Sequence, residues 1–249
     1  MRQVLCSILV LAVVPLVLYA EDKATGDLTD PLEILRKVDA AAKAVKAVKY
    51  DVVCEPTGAG NQQSPRIEGT YILAGWNEKE KGPERFLVEV KGTRGTVQLL
   101  DHTAGTDGKE YFSIDHRDGL ATVGPNSKAF GAAARNFGLG FMGEFVHPEP
   151  FNDEITGKSR ELVGSKVIGG EDCYEVHVEY QNAPEGYKAI WYFSKKDFLP
   201  RARHDTQPSR NGEIVGTLRT VTNLVVDPDL PDDTFRFKLP EGYKIKKTE

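Results

Sequence analysis

Cys173-Tyr-Glu-Val-His-Val-Glu-Tyr180 alternates without a break. Tyr174, Val176, Val178 and Tyr180 fall on one side of an extended chain, and Glu175, His177 and Glu179 on the other. Side chains of a strand point alternately to its two faces, so this octet predicts a β-strand with one apolar and one wet side. Other segments repeat the pattern. Phe86, Val88 and Val90 share a face of Arg85–Lys91, and Ala189, Trp191 and Phe193 share a face of Lys188–Phe193. Strands of this kind belong to an antiparallel sheet enclosed on one side.

Along the rest of the chain the same twofold period predicts strands over 50–55, 67–76, 85–91, 96–101, 109–115 and 120–124. It resumes over 161–168, 173–180, 187–193, 199–205, 214–226 and 234–239. Turn chemistry separates them, with Asp107-Gly108 the strongest hairpin signal. Before the strands lies one amphipathic helix, over 29–48. Asp30 is its N-cap, Pro31 its first residue, and Glu33 completes a capping-box-like pattern. Leu32, Leu35, Val38, Ala41, Ala42, Val45 and Val48 form its apolar stripe. The rhythm breaks once, over 127–151. There Ala129–Asn136 can form a short helix, and a glycine-rich stretch carrying Phe137, Phe141, Met142 and Phe145 follows. Exposing so apolar a segment would make a large sticky patch, so it reads as a cover or plug.

The chain start reads as an export signal. Arg2 is followed by an apolar run from Val4 to Leu18, then by Ala20 and the polar Glu21-Asp22-Lys23. That run suits a secretory signal and is short for a membrane span. The expectation is cleavage after residue 20, one domain over 21–249, a secreted and most plainly periplasmic protein, and no integral membrane segment after cleavage. Formal net charge is −5, and the only basic run is Lys244-Ile-Lys-Lys247, so nothing points to nucleic acid. Two cysteines outside the signal, Cys54 and Cys173, permit one disulfide in an oxidising compartment.

Catalytic and metal patterns are thin. Gly138-Leu-Gly-Phe-Met-Gly143 matches G-x-G-x-x-G but lacks the strand–turn–helix setting of a nucleotide loop. Glu175, His177 and Glu179 share a strand face, and Asp101-His102 and Asp115-His116 sit at strand ends; either set could ligate a metal, and each is also what a wet face or a turn contains. No G-x-S-x-G occurs. The reading is therefore no enzyme, no catalytic residues and no cofactor, with a hydrolase or metal enzyme as the remote alternative.

Three stretches then carry a resemblance. Thr106-Asp-Gly-Lys-Glu-Tyr-Phe-Ser-Ile-Asp115, Val163-Gly-Ser-Lys-Val-Ile-Gly-Gly-Glu-Asp-Cys-Tyr-Glu-Val176 and Ile190-Trp-Tyr-Phe-Ser-Lys-Lys-Asp-Phe-Leu-Pro-Arg201 resemble successive hairpins of the LolA-like and LolB-like lipoprotein-carrier superfamily. The tail Asn223–Tyr243 resembles its closing strand. The resemblance implies a mainly β fold: an unclosed, strongly curved antiparallel sheet, or half-barrel, with an N-terminal helix and a helical or loop lid. It implies an apolar concavity that takes lipid or lipoprotein acyl chains, and a lid-gating arginine, with Arg66 and Arg85 the candidates by position. The same fold also serves as an envelope sensor that binds proteins. The expected lining is Trp76, Phe86, Val88, Tyr174, Val176, Val178, Trp191 and Phe193, covered by Phe137, Phe141 and Met142. An acyl chain gains about 0.8 kcal/mol per buried CH₂, so such a trough needs no special chemistry.

Overall fold

A computed structural model describes residues 27–59, 64–125 and 140–247. Helix α1 (Pro31–Lys43) is followed by strands β1 (Ala47–Gly58), β2 (Arg66–Asn77), β3 (Gly82–Arg94), β4 (Val97–Thr106), β5 (Glu110–Asp115) and β6 (Leu120–Pro125). A 3₁₀ turn (Gly143–Phe145) and a one-turn helix α2 (Asn152–Ile155) precede β7 (Ser159–Ile168), β8 (Glu171–Glu179), β9 (Lys188–Ser194), β10 (Pro200–Pro208), β11 (Ile214–Val226) and β12 (Lys244–Lys247). All strands join one 12-stranded sheet in the order β12-β6-β5-β4-β3-β2-β1-β11-β10-β9-β8-β7. The pairing is antiparallel except at β12, which runs parallel to β6. The sheet does not close: β12 and β7 are its two edges.

Twelve strands laid flat would span about 50 Å. Helix α1 is only 13 residues, or about 20 Å. Yet one face is buried from β3 (Phe86, Val88) through β1 (Tyr50, Val52) to β8 (Val176, Val178), each side chain at 3% exposure or less. So little cover hides so wide a surface only if the sheet curls around it. That buried face is the concave one, and it holds the main core.

The strand order also explains the interruption seen in the sequence. β6 lies next to one edge and β7 forms the other, so the chain between them must cross the open side of the sheet. Its described part, from Gly140 to Lys158, lies on the concave face, with Met142, Phe145 and Phe151 buried in the core. A Cβ on Gly140 would sit 2.5 Å from the Tyr71 hydroxyl and 2.7 Å from Val52 Cγ1, so only glycine allows this approach. Gly140 there serves packing, and Gly138 of the G-x-G-x-x-G match lies outside the described residues.

The helix is shorter than the sequence pattern predicts. α1 stops at Lys43 because Ala47 and Val48 already pair with Ala74 and Leu73 of β2. The Asp227 carboxylate accepts from the amides of Lys46 and Ala47, which fixes that junction. At the other end, Asp30 caps as expected, accepting from the Leu32 amide at 2.9 Å. The strand expected over 234–239 is absent: Thr234 and Phe235 lie in a turn, with Thr234 N–H donating to the Pro231 carbonyl, and 236–239 are irregular. Their twofold look comes from two anchors. Phe235 is buried under the Arg85 guanidinium, 5.0 Å from the ring centre, and Phe237 packs on Phe112. The basic run at 244–247 forms the edge strand β12.

The disulfide allowed by the cysteine count does not form between Cys54 and Cys173. Cys54 points into the concave core, whereas Cys173 belongs to a small cluster with Tyr192 and Ala202 on the convex face. Both are reduced thiols. Burial pushes Cys54 up to about 12 and Cys173 up to about 11, which leaves neither with thiolate character near neutrality.

Candidate functional site

The strand register puts the expected lining residues on one surface. Trp191 pairs with Val176, Phe193 with Tyr174, and Val178 with Ala189. Val88 pairs with Tyr71 and Phe86 with Leu73. Phe86, Val88, Tyr174, Val176, Val178, Trp191 and Phe193 are all buried on the concave face. Of the expected cover, Met142 is buried, Phe141 is partly buried, and Phe137 lies outside the described residues. Trp76 is half-buried and meets the cover edge-on at His147, with ring centres 4.4 Å apart.

The cover fills the trough. Phe151 stands edge-on to Trp191 (5.2 Å) and Phe193 (5.4 Å), and Phe145 tilts onto Tyr50 (5.3 Å). The Tyr50 hydroxyl holds the segment at two points, accepting from the Met142 amide at 2.9 Å and donating to the Gly140 carbonyl at 3.3 Å.

Beside this apolar contact lies a charged network that the sequence pattern does not announce. Arg203 of β10 projects from the concave face opposite Trp191. Its guanidinium lies over the indole, 4.6 Å from the ring centre. It donates to Glu144 of the cover and to Asp205 of its own strand, each at 2.9 Å, and to the Tyr187 hydroxyl at 3.2 Å. Asp205 also pairs with Arg219 of β11. Burial would raise the Asp205 carboxyl, but Arg203 and Arg219 outweigh it and hold the group below its ordinary range. A signal is present in the sequence: Arg203 and Asp205 alternate with Ala202 and His204, which reads as a wet strand face until the register places Trp191 across from Arg203.

Two open clefts of about 640 and 400 Å³ meet here; Asp153, Tyr180 and Arg203 line both. Among them Glu154 of α2 is only 4% exposed. Burial pushes its carboxyl up to about 7, against the opposing pull of a hydrogen bond from the Tyr180 hydroxyl (2.6 Å) and of Arg203. An unfolded glutamate titrates near ~4.3. Below that value both states hold the proton. Between it and about 7 only the folded state does, so this group's contribution falls as pH rises and levels off above about 7. Glu154→Gln keeps an acceptor for Tyr180 and removes the titration. The variant is expected to exceed the wild type in unfolding free energy at pH 8 by up to about 3 kcal/mol, and to lose that advantage at pH 4.5. Urea unfolding at both pH values checks this; an equal difference at both would refute it.

The remaining sequence candidates separate. His177 pairs with Glu175 at 2.9 Å on the convex face, whereas Glu179 lies 3.7 Å from Lys158. Asp101 and His102 lie in β4, and Asp115 ends β5 with His116 in the turn after it, but alternation splits each pair across the sheet. His102 faces Asp115 at 3.4 Å, and His116 bonds Thr103 at 2.8 Å and Tyr243 at 3.2 Å. Among the described residues no group of three His, Cys, Asp or Glu is placed to hold a metal ion. Arg66 pairs with Glu68 and Glu55, and Arg85 covers Phe235. Both arginines project from the convex face, away from the cover.

The fold and this surface together define an open antiparallel half-barrel with an N-terminal helix and a covered apolar concavity. Solved structures similar to it include a LolA superfamily protein from Nitrosomonas europaea, with 11% identity and a TM-score of 0.35, covering 85% of this chain and 99% of that one. Others are the lipoprotein LppX of Mycobacterium tuberculosis (10% identity, TM-score 0.48, 81% and 97% covered) and an uncharacterized conserved protein from Thermus thermophilus (12%, 0.46, 87% and 98%). No family model and no curated protein matches the chain. Among the described residues no helix is long and apolar enough to cross a membrane.

Proposed function

We propose that this chain is an exported, non-catalytic binding protein that takes acyl chains of a lipid or lipoprotein into its concavity in place of the cover segment. One observation carries the reading: the concave face is a continuous apolar surface whose occupant, Gly140–Phe151, belongs to the connection between the two sheet edges rather than to the sheet. Removing that occupant would expose Trp191, Phe193 and Tyr50 together, and an acyl chain could cover them again at a gain of about 0.8 kcal/mol per CH₂. The apolar stretch at residues 4–18 supports export.

The test is direct. Protein purified without detergent is expected to carry lipid visible by native mass spectrometry. A fatty-acid probe is expected to change the fluorescence of Trp191, on which the cover rests. If no lipid mass is seen and the fluorescence stays constant across a saturating titration, the reading fails.

A second reading has one observation in its favour. Beside the cover, the larger cleft brings Asp153, Gln181, Asn182, Tyr187 and Arg203 together with Ala183 and Pro184, a mixed polar and apolar lining that suits a protein ligand. Capture of a defined envelope protein by a lipid-free preparation would favour it.

A further inference from the structure

We infer that the cargo carries an anionic head group, and that Arg203 is its anchor, held until then by Glu144 of the cover. The inference rests on the acyl-binding reading and names the polar end of that site.

Glu144 and Phe145 lie on the same 3₁₀ turn. Phe145 is fully buried against Tyr50, so the cover cannot leave the trough without taking Glu144 with it. Its departure breaks the 2.9 Å pair with Arg203 and leaves that arginine sharing Asp205 with Arg219. A partly buried cation stripped of one of its carboxylates is costly, so the cover alone leaves at a penalty. A ligand that brings its own carboxylate or phosphate restores the pair. Arginine's planar fork suits either group.

Position fits as well. Arg203 lines both open clefts, so an anion reaches it from solvent. Directly beneath is Trp191, where the apolar trough begins. A head group on Arg203 therefore lays the first carbons of its chain on the indole now covered by Phe151. Glu144 and Phe145 occupy the site as head and tail of an amphiphile would.

The experiment compares dodecanoate with 1-dodecanol on the full chain at pH 8, by isothermal titration. Dodecanoate is expected to bind about tenfold more tightly or better, as a charge-assisted hydrogen bond allows. Inorganic phosphate at millimolar concentration is expected to leave that affinity unchanged, since it lacks the chain. Arg203→Met is expected to bring the two ligands to equal affinity. Because that variant also disturbs a buried network, Glu144→Gln provides an independent arm: it weakens the cover's hold and is expected to tighten dodecanoate binding several-fold, with the acid still preferred. Equal binding of acid and alcohol by the wild type overturns the anchor and leaves the acyl reading intact. So does a Glu144→Gln variant with unchanged affinity, whereas displacement of dodecanoate by phosphate overturns the acyl reading. Binding of neither amphiphile overturns both.

Discussion

Replacing Trp191 with alanine is expected to lower the unfolding free energy by about 3–5 kcal/mol. The indole is fully buried on the concave face. It stacks on Phe193 with centres 5.5 Å apart and planes 11° from parallel, and it carries Phe151 on its edge and Arg203 on its face. Its Nε1–H donates to the Tyr180 hydroxyl at 3.4 Å. Alanine removes the transfer energy of the ring and leaves a void under both the cover and the guanidinium. Trp191→Phe keeps most of the ring contacts and is expected to lose clearly less. Urea unfolding followed by circular dichroism reads both. A domain's whole stability is about 5–15 kcal/mol, so the alanine variant should give up about a fifth of it or more. A loss below about 1 kcal/mol would mean that the ring is not packed as described.

Asp205→Asn is expected to cost a comparable amount, about 3–5 kcal/mol, from the change of one atom. The asparagine has the same shape, so packing is not the cause. Asp205 is the carboxylate that Arg203 and Arg219 share, and it also accepts from the Tyr187 hydroxyl. A neutral amide leaves two enclosed cations facing each other across the β10–β11 ladder. A double-mutant cycle with Arg219→Met separates the two contributions. If the charge argument holds, Arg219→Met recovers part of the stability lost in Asp205→Asn. Simple additivity of the two losses would show that the residues do not interact.

The sheet was legible because period two is unambiguous. In β8, Tyr174, Val176 and Val178 alternate with Glu175 and His177, and the observed register keeps that partition. The turn at Asp107-Gly108 was legible for a local reason: the Asp107 carboxylate accepts from the amides of Lys109 and Glu110, and Gly108 sits at φ +92°. Less visible were features set by distant pairing. The end of α1 depends on Asp227, which is 181 residues from Lys46. The parallel strand β12 depends on β6, and four residues with three lysines carry no strand signal by themselves. The charged part of the site was hidden for the same reason. Arg203, Asp205, Glu144 and Glu154 each look like ordinary surface residues, and only the meeting of β10 with the connection between the sheet edges makes them a network. The disulfide question was one of faces: Cys54 and Cys173 both sit in strands, but strand positions alone do not show which side of a common sheet each occupies.

The strand order divides the chain into two meanders, β1–β6 and β7–β11, whose neighbouring strands follow one another in sequence. Contacts inside each are local and quick to search. The seam between them is not: Cys54 pairs with Arg219 across about 165 residues, and that loop must close before the ladder repays its entropy. The apolar trough takes Tyr50, Tyr71 and Val88 from one meander and Val176, Trp191 and Phe193 from the other. Neither half therefore possesses the whole concave surface. It comes into being in the same event that joins them, so a chain arrested with two folded halves would expose two sticky faces and lack the joined trough.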